Sequence, residues 1–143
     1  MYQFSIENLP LLLSYTLTHS TSETLRIKLS NFEEATLHLD PNTPLTSDIT
    51  DLSYLPPEHF LNGHHLPFPA TTWTFGCILF ELVFARRPLL VSSTDYGELE
   101  RLFGGVSHEC VLFLQGCLCP DSGMRMAFQR IKQHPWFSKE IQF

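Results

Sequence analysis

Basic side chains are scarce in this chain: nine Lys and Arg stand against fifteen Asp and Glu, for a formal charge of −6. Such a surface gives a phosphate backbone little to bind, so nucleic acid is not an expected partner. Cysteine is sparse as well. Cys77, Cys110, Cys117 and Cys119 form no CxxC pair of the sort that zinc ribbons and dithiol redox motifs require, and they read as buried thiols in a reducing compartment. His59, His64 and His65 have no cysteine or carboxylate pattern to complete a tetrahedral set, and they read as surface or loop histidines. No basic region precedes the short apolar stretch Leu9–Leu13, which argues against a secretory signal. The longest apolar run, Phe75–Ala85, is interrupted by Glu81 and falls well short of the roughly 20 residues that cross a bilayer. The expectation is a cytoplasmic chain without a membrane span.

What is present is an ordinary share of core-forming residues, 43% hydrophobic over 143 positions, enough for one domain or a piece of a larger one. Strand-like residues at Leu11–Leu17 and Leu25–Leu29 flank the polar segment HSTSE and predict a small β-hairpin. From Ser30 to Tyr54 the pattern is irregular and free of glycine, which predicts a long loop. Pro56 and Pro57 before Glu58 predict a short helix over about 57–61. Residues 70–84 predict a helix with no polar stripe, one that belongs in the middle of a protein. A capping box at Asp95 and Glu98 predicts a helix to about Phe103. Ser107 opens another helix carrying Val111, Leu114 and Leu118, and a last helix is predicted near Arg125–Gln133, followed by an aromatic anchor, HPWF.

The string YLPPEHFLNGHHLPFPATTWTFGCILFELVFARRPL at 54–89 resembles the end of a protein kinase activation segment and the central helix behind it. Pro56, Pro57 and Glu58 stand where Pim-type serine/threonine kinases carry PPE, and Trp73, Thr74, Phe75 and Gly76 stand at the WSLG signature. The stretch CLCPDSGMRMAFQRIKQHPWF at 117–137 is similar to the last helices of that family, with Arg125 at its arginine and Trp136 in its HPWF ending. The resemblance implies a mainly α chain of the α+β class, a kinase-like C-terminal lobe with a small hairpin near its start. Its parts would be a catalytic-loop remnant at 1–8, an activation-segment analogue at 31–58 and a helical core at 70–137. No GxGxxG loop and no VAIK-type lysine occurs, so the N-terminal lobe is expected to be absent.

The same resemblance implies degenerate chemistry. LRIKLSNFEEA places Asn31, Phe32 and Glu33 at the metal-binding triplet, IENLPLLL places Asn8 at the catalytic-loop asparagine, and counting back puts Ser5 at the lysine and Gln3 at the catalytic aspartate. Phosphoryl transfer depends on positioning and charge neutralisation, and family members use ATP and magnesium for it. Gln3 cannot serve as a base near neutral pH, and Asn31 offers Mg²⁺ a carbonyl oxygen without charge. Glu33 replaces a glycine whose backbone freedom the turn uses. Asn8 and Asn31 remain weak metal candidates, a cluster of Glu7, Glu33 and Glu34 a weaker one, and no cofactor is expected for the chain itself.

Other residues invite a functional and a structural reading side by side. Glu58 and Arg125 are expected to form a buried ion pair, against the alternative of a helix-start acid and a solvated arginine. Trp73 with Phe75, and Trp136 with Phe137, are expected in the core rather than as ligand platforms. Thr43, Thr46, Ser47, Thr50 and Ser53 populate a segment that phosphorylation orders in kinases, but the arginine partner aligns with Tyr2. Glu7, Asp95 and Glu98 would favour a basic peptide, and Arg86 and Arg87 oppose it. The all-round apolar central helix leads to an expectation of exposed apolar surface, and so of a protein partner or self-association.

Overall fold

A computed structural model of the chain describes residues 4–5, 36–37, 40–46, 52–86, 88 and 106–138. The chain divides into two compact units, Met1–Leu39 and Asp40–Phe143. In the first, strand β1 (Phe4–Ser5) runs antiparallel to β2 (Thr36–Leu37), with Phe4 opposite Leu37 and Ser5 opposite Thr36. This pairing joins residues read from the sequence as loop. The predicted hairpin at Leu11–Leu17 and Leu25–Leu29 and the predicted helix at 95–103 lie outside the described residues.

The second unit is helical. Helix α1 (Pro57–Asn62) starts on a proline that needs no donor in its first turn and stops at Gly63, whose φ of 74° lets its N–H return to the His59 carbonyl at 2.8 Å. Helix α2 (Pro67–Phe84) begins three residues before the predicted start, again with proline in the first turn, and closes on Ala85. Ala85 has a φ of 53°, the only non-glycine in the left-handed region among the described residues, and its N–H bonds the Glu81 carbonyl at 2.8 Å. Helix α3 (His108–Cys117) opens as its sequence predicts: Ser107 caps it by accepting from the Cys110 N–H at 3.3 Å.

Although α2 carries no polar stripe, it has two distinct sides. Ala70, Trp73, Cys77 and Phe80 recur at helical spacing and are buried, whereas Phe75, Leu82 and Val83 are exposed. By length and composition alone α2 could cross a membrane. Here its buried side packs on α3. Phe80 joins Cys110, Val111 and Leu114 in one cluster, and Gly76 gives the closest approach: a Cβ there would sit 2.7 Å from the Cys117 Cβ. Expecting Phe75 in the core is corrected at this point. Its ring touches Phe113 edge-on at 6.0 Å, yet the residue stays on the exposed side, one position off the buried stripe.

The C-terminal stretch departs from the predicted helix at 125–133. Asp121 accepts the backbone N–H groups of Met124 and Arg125 in a turn, and the Met126 N–H bonds the Gly116 carbonyl at 2.8 Å, so 124–127 is drawn onto α3 rather than wound. Only then does a 3₁₀ helix form, Phe128–Gln133, followed by a second, Pro135–Ser138. The HPWF anchor is present, but the expectation that Phe137 lies in the core is corrected, since on the second 3₁₀ helix it stays exposed while Trp136 is half-buried. Phe113, fully buried, meets His134, Trp136 and Phe137 with ring centroids between 5.1 and 5.3 Å apart.

Candidate functional site

The densest polar constellation among the described residues converges on Arg125. Its guanidinium carries five N–H donors, and all five are used. Nη1 donates to Glu58 Oε1 at 2.7 Å and to the Pro69 carbonyl at 2.9 Å, and Nη2 to Glu58 Oε2 at 2.7 Å and the Pro120 carbonyl at 3.3 Å. Nε donates to the Cys119 carbonyl at 2.9 Å. The Arg125 side chain is 0% exposed and that of Glu58 is 12% exposed, so this is a buried bidentate pair rather than a surface contact. Trp73 lies under it, its ring centroid 5.0 Å from the Arg125 Cζ. The buried Trp73 Nε1 has no hydrogen-bond partner.

The local sequence explains the convergence. Proline at 57 starts α1 so that Glu58 falls in its first turn, where a negative charge is favoured. The turn at Asp121 ends with Arg125 facing inward, where the carbonyls of Pro69, Cys119 and Pro120 accept from its guanidinium. The result ties three points of the chain together: the first turn of α1, the start of α2 and the turn after α3.

Two further links hold the segment before α1. The Tyr54 hydroxyl donates to Glu81 Oε2 at 2.7 Å, and Thr74 Oγ1 donates to the Tyr54 carbonyl at 3.2 Å. Upstream, Leu45 exchanges both backbone bonds with His65, at 2.8 and 3.1 Å, and His59 Nδ1 lies 2.9 Å from His65 Nδ1. Reading these histidines as surface residues is corrected for His65, which is only 2% exposed. The bridge from Leu45 carries it inward. No group of three or more metal-ligating side chains occurs among the described residues.

Of the cysteines, Cys77, Cys110 and Cys117 are buried and Cys119 is half-buried, all of them free. Burial pushes the thiols of Cys77 and Cys117 up to about 12, with Glu81 adding to the effect at Cys77. Such thiols stay protonated at neutral pH and are not nucleophiles. Around Arg125 the arrangement is therefore a support. It fixes backbone and offers no reacting group.

Of the residues singled out in the sequence, Glu58 and Arg125 are brought together, the Trp73 ring lies under the Arg125 guanidinium, Gly76 supplies the α2–α3 contact and Trp136 packs on Phe113. Ser5 lies in β1, and Gln3, Asn8, Asn31, Phe32 and Glu33 fall outside the described residues. Tyr54–Glu81 and His59–His65 went unnoticed in the sequence. The first joins positions 27 apart with no periodic relation, and for the second the only signal was a cluster of histidines between two prolines.

Residues 16–137 match the protein kinase domain family. The chain belongs to that family. It is 28% identical over 120 residues to serine/threonine-protein kinase 1 of an African swine fever virus tick isolate from South Africa, an alignment covering 81% of this chain and 40% of the viral protein. Against serine/threonine-protein kinase pim-2 of Danio rerio it is 31% identical over 84 residues, 58% of this chain and 27% of the fish protein. The chain thus spans 40% of the length of its viral relatives. The matched span takes in Asn31, Phe32, Glu33, Glu58, Trp73, Gly76, Arg125 and Trp136, while Gln3, Ser5 and Asn8 precede it.

Proposed function

We propose that this chain is a non-catalytic member of the kinase family, a pseudokinase-like C-lobe that works through protein contacts. One contrast carries the reading. The Glu58–Arg125 support is complete to its last donor, while the sequence resemblance puts Asn31 and Glu33 where the metal-binding triplet is expected. A scaffold kept whole in a chain whose expected magnesium position lacks its carboxylate suits binding better than phosphoryl transfer. The exposed side chains Phe75, Leu82 and Val83 on α2 would supply apolar contact area for a partner or for a second copy.

The test is transfer of radiolabel from ATP to a basic peptide in the presence of magnesium, with the chain alone and with its longest natural transcript product. The expected result is no transfer above buffer and no magnesium-dependent thermal shift with ATP. Transfer abolished by Asn31→Ala would overturn the proposal.

A second reading rests on coverage. The relatives are serine/threonine kinases by name, and this chain corresponds to 40% of the viral ones, so it could be one part of an ATP-dependent kinase acting on protein hydroxyls. Reading the transcript upstream of Met1 decides between the two: a glycine-rich loop, an ATP-binding lysine and a catalytic aspartate there would favour the second.

A further inference from the structure

His59 and His65 meet through like atoms. The two Nδ1 nitrogens are 2.9 Å apart, with ring centroids separated by 5.0 Å and planes inclined at 62°. For this contact to be a hydrogen bond, one Nδ1 carries the proton and the other presents its lone pair. Charging the donor ring leaves that bond in place and strengthens it. Charging both rings puts N–H against N–H and cation against cation, and no lone pair is left between them.

What hangs on the bond is a stretch of chain. His59 is in the last turn of α1, directly after Glu58. His65 exchanges both backbone bonds with Leu45, which is buried, and Leu45 follows the turn in which Asp40 accepts from Asn42 and Thr43. The 40–46 stretch is therefore pinned through Leu45 to His65, and through His65 to α1. The described charged and titratable groups on these elements are Glu58, with both oxygens on Arg125; Asp40, held in its own turn; and exposed His64, whose ring bonds the Asn62 carbonyl.

We infer that His59 and His65 form a proton-sensitive clasp, which holds the 40–46 stretch of the activation-segment analogue while at least one Nδ1 is unprotonated and releases it when both rings are charged. Because the closed clasp accommodates one proton fewer than two separated imidazoles, acid favours the open form. The device is independent of whether the protein transfers phosphate.

Amide hydrogen exchange on the full chain between about pH 8 and pH 5, corrected for intrinsic rates, tests it. Protection of the Leu45 and His65 amides is expected to fall about tenfold, the worth of one hydrogen bond, while the Leu118 amide in the α3 cap is unchanged. In His59→Gln, whose amide cannot charge, the pH response is expected to vanish; in His64→Gln it is expected to persist. Unchanged protection in the wild type, an equal loss at Leu118, or the same response in His59→Gln would each overturn the proposal. Nitrogen-detected titration of the wild-type imidazoles needs no variant: coupled, two-step curves for His59 and His65 support the clasp, and two independent single steps sink it.

Discussion

Arg125 grips Glu58 with two parallel bonds of 2.7 Å, one to each carboxylate oxygen, across 67 residues of chain. Both partners are desolvated, so removing either leaves a buried charge without compensation. Glu58→Ala is expected to cost about 3–5 kcal/mol, and Arg125→Ala at least as much because three carbonyls lose their donor as well. In a double-mutant cycle measured by urea denaturation the two losses should be strongly non-additive. Arg125→Lys should rescue little, since an ammonium reproduces neither the fork nor the bond to Cys119. Additive losses would show that the pair is not coupled.

Gly76 and Gly116 should respond differently to the same added methyl group. At Gly76 the new Cβ meets the Cys117 Cβ at 2.7 Å and Leu118 Cδ2 at 2.9 Å, one of them rigidly attached to helix backbone. At Gly116 the 2.7 Å neighbour is the terminal methyl of Met126, which can swing away. Gly76→Ala is expected to lose about 1–3 kcal/mol, outweighing alanine's better helix propensity, while Gly116→Ala stays near neutral. Paired urea midpoints check the contrast.

Ala85 adopts a backbone conformation that suits glycine, with φ at 53°. Ala85→Gly removes the Cβ clash of the left-handed region and keeps the bond to the Glu81 carbonyl. A gain of about 1 kcal/mol is expected, visible as a higher Tm, despite glycine's greater freedom in the unfolded chain. A loss would mean that the cap is not left-handed in solution.

Alkaline pH should weaken the fold through its buried thiols. Cys77 and Cys117 ionise near 9.0 when exposed and are pushed up to about 12 when folded. The unfolded chain therefore releases protons first: their contribution is whole below about 9 and is lost as pH rises toward 12. The urea midpoint is expected to fall between pH 8 and about pH 10.5, and the fall should be shallower in Cys77→Ala. An identical slope in that variant would assign the effect to other groups.

Much of this fold can be read before any coordinates are seen, for physical reasons that differ from element to element. Helix α3 is legible because Ser107 and the spacing of Val111, Leu114 and Leu118 are local signals. The Glu58–Arg125 pair is visible only through resemblance, since no local rule connects positions so far apart. Helix α2 shows its existence but not its orientation: with apolar residues on every side, composition cannot tell buried Trp73 from exposed Phe75, and contact with α3 decides. The helix expected at 125–133 starts late because the backbone bond from Met126 to Gly116 is tertiary. His65 is buried by a backbone bridge to Leu45, which leaves no trace in the pattern of side chains.

The long reach of Arg125 also bears on how a ribosome delivers this protein. Glu58 emerges many residues ahead of its arginine, so α1 must wait, unanchored, while α2 and α3 are being made. Closing so wide a span costs chain entropy on the order of 4 kcal/mol, comparable to what the pair returns. Helix α1 is thus secured only once Arg125 has been made, and a chain cut short before Arg125 would leave the Glu58 carboxylate exposed and α1 unsecured, ready material for proteolysis.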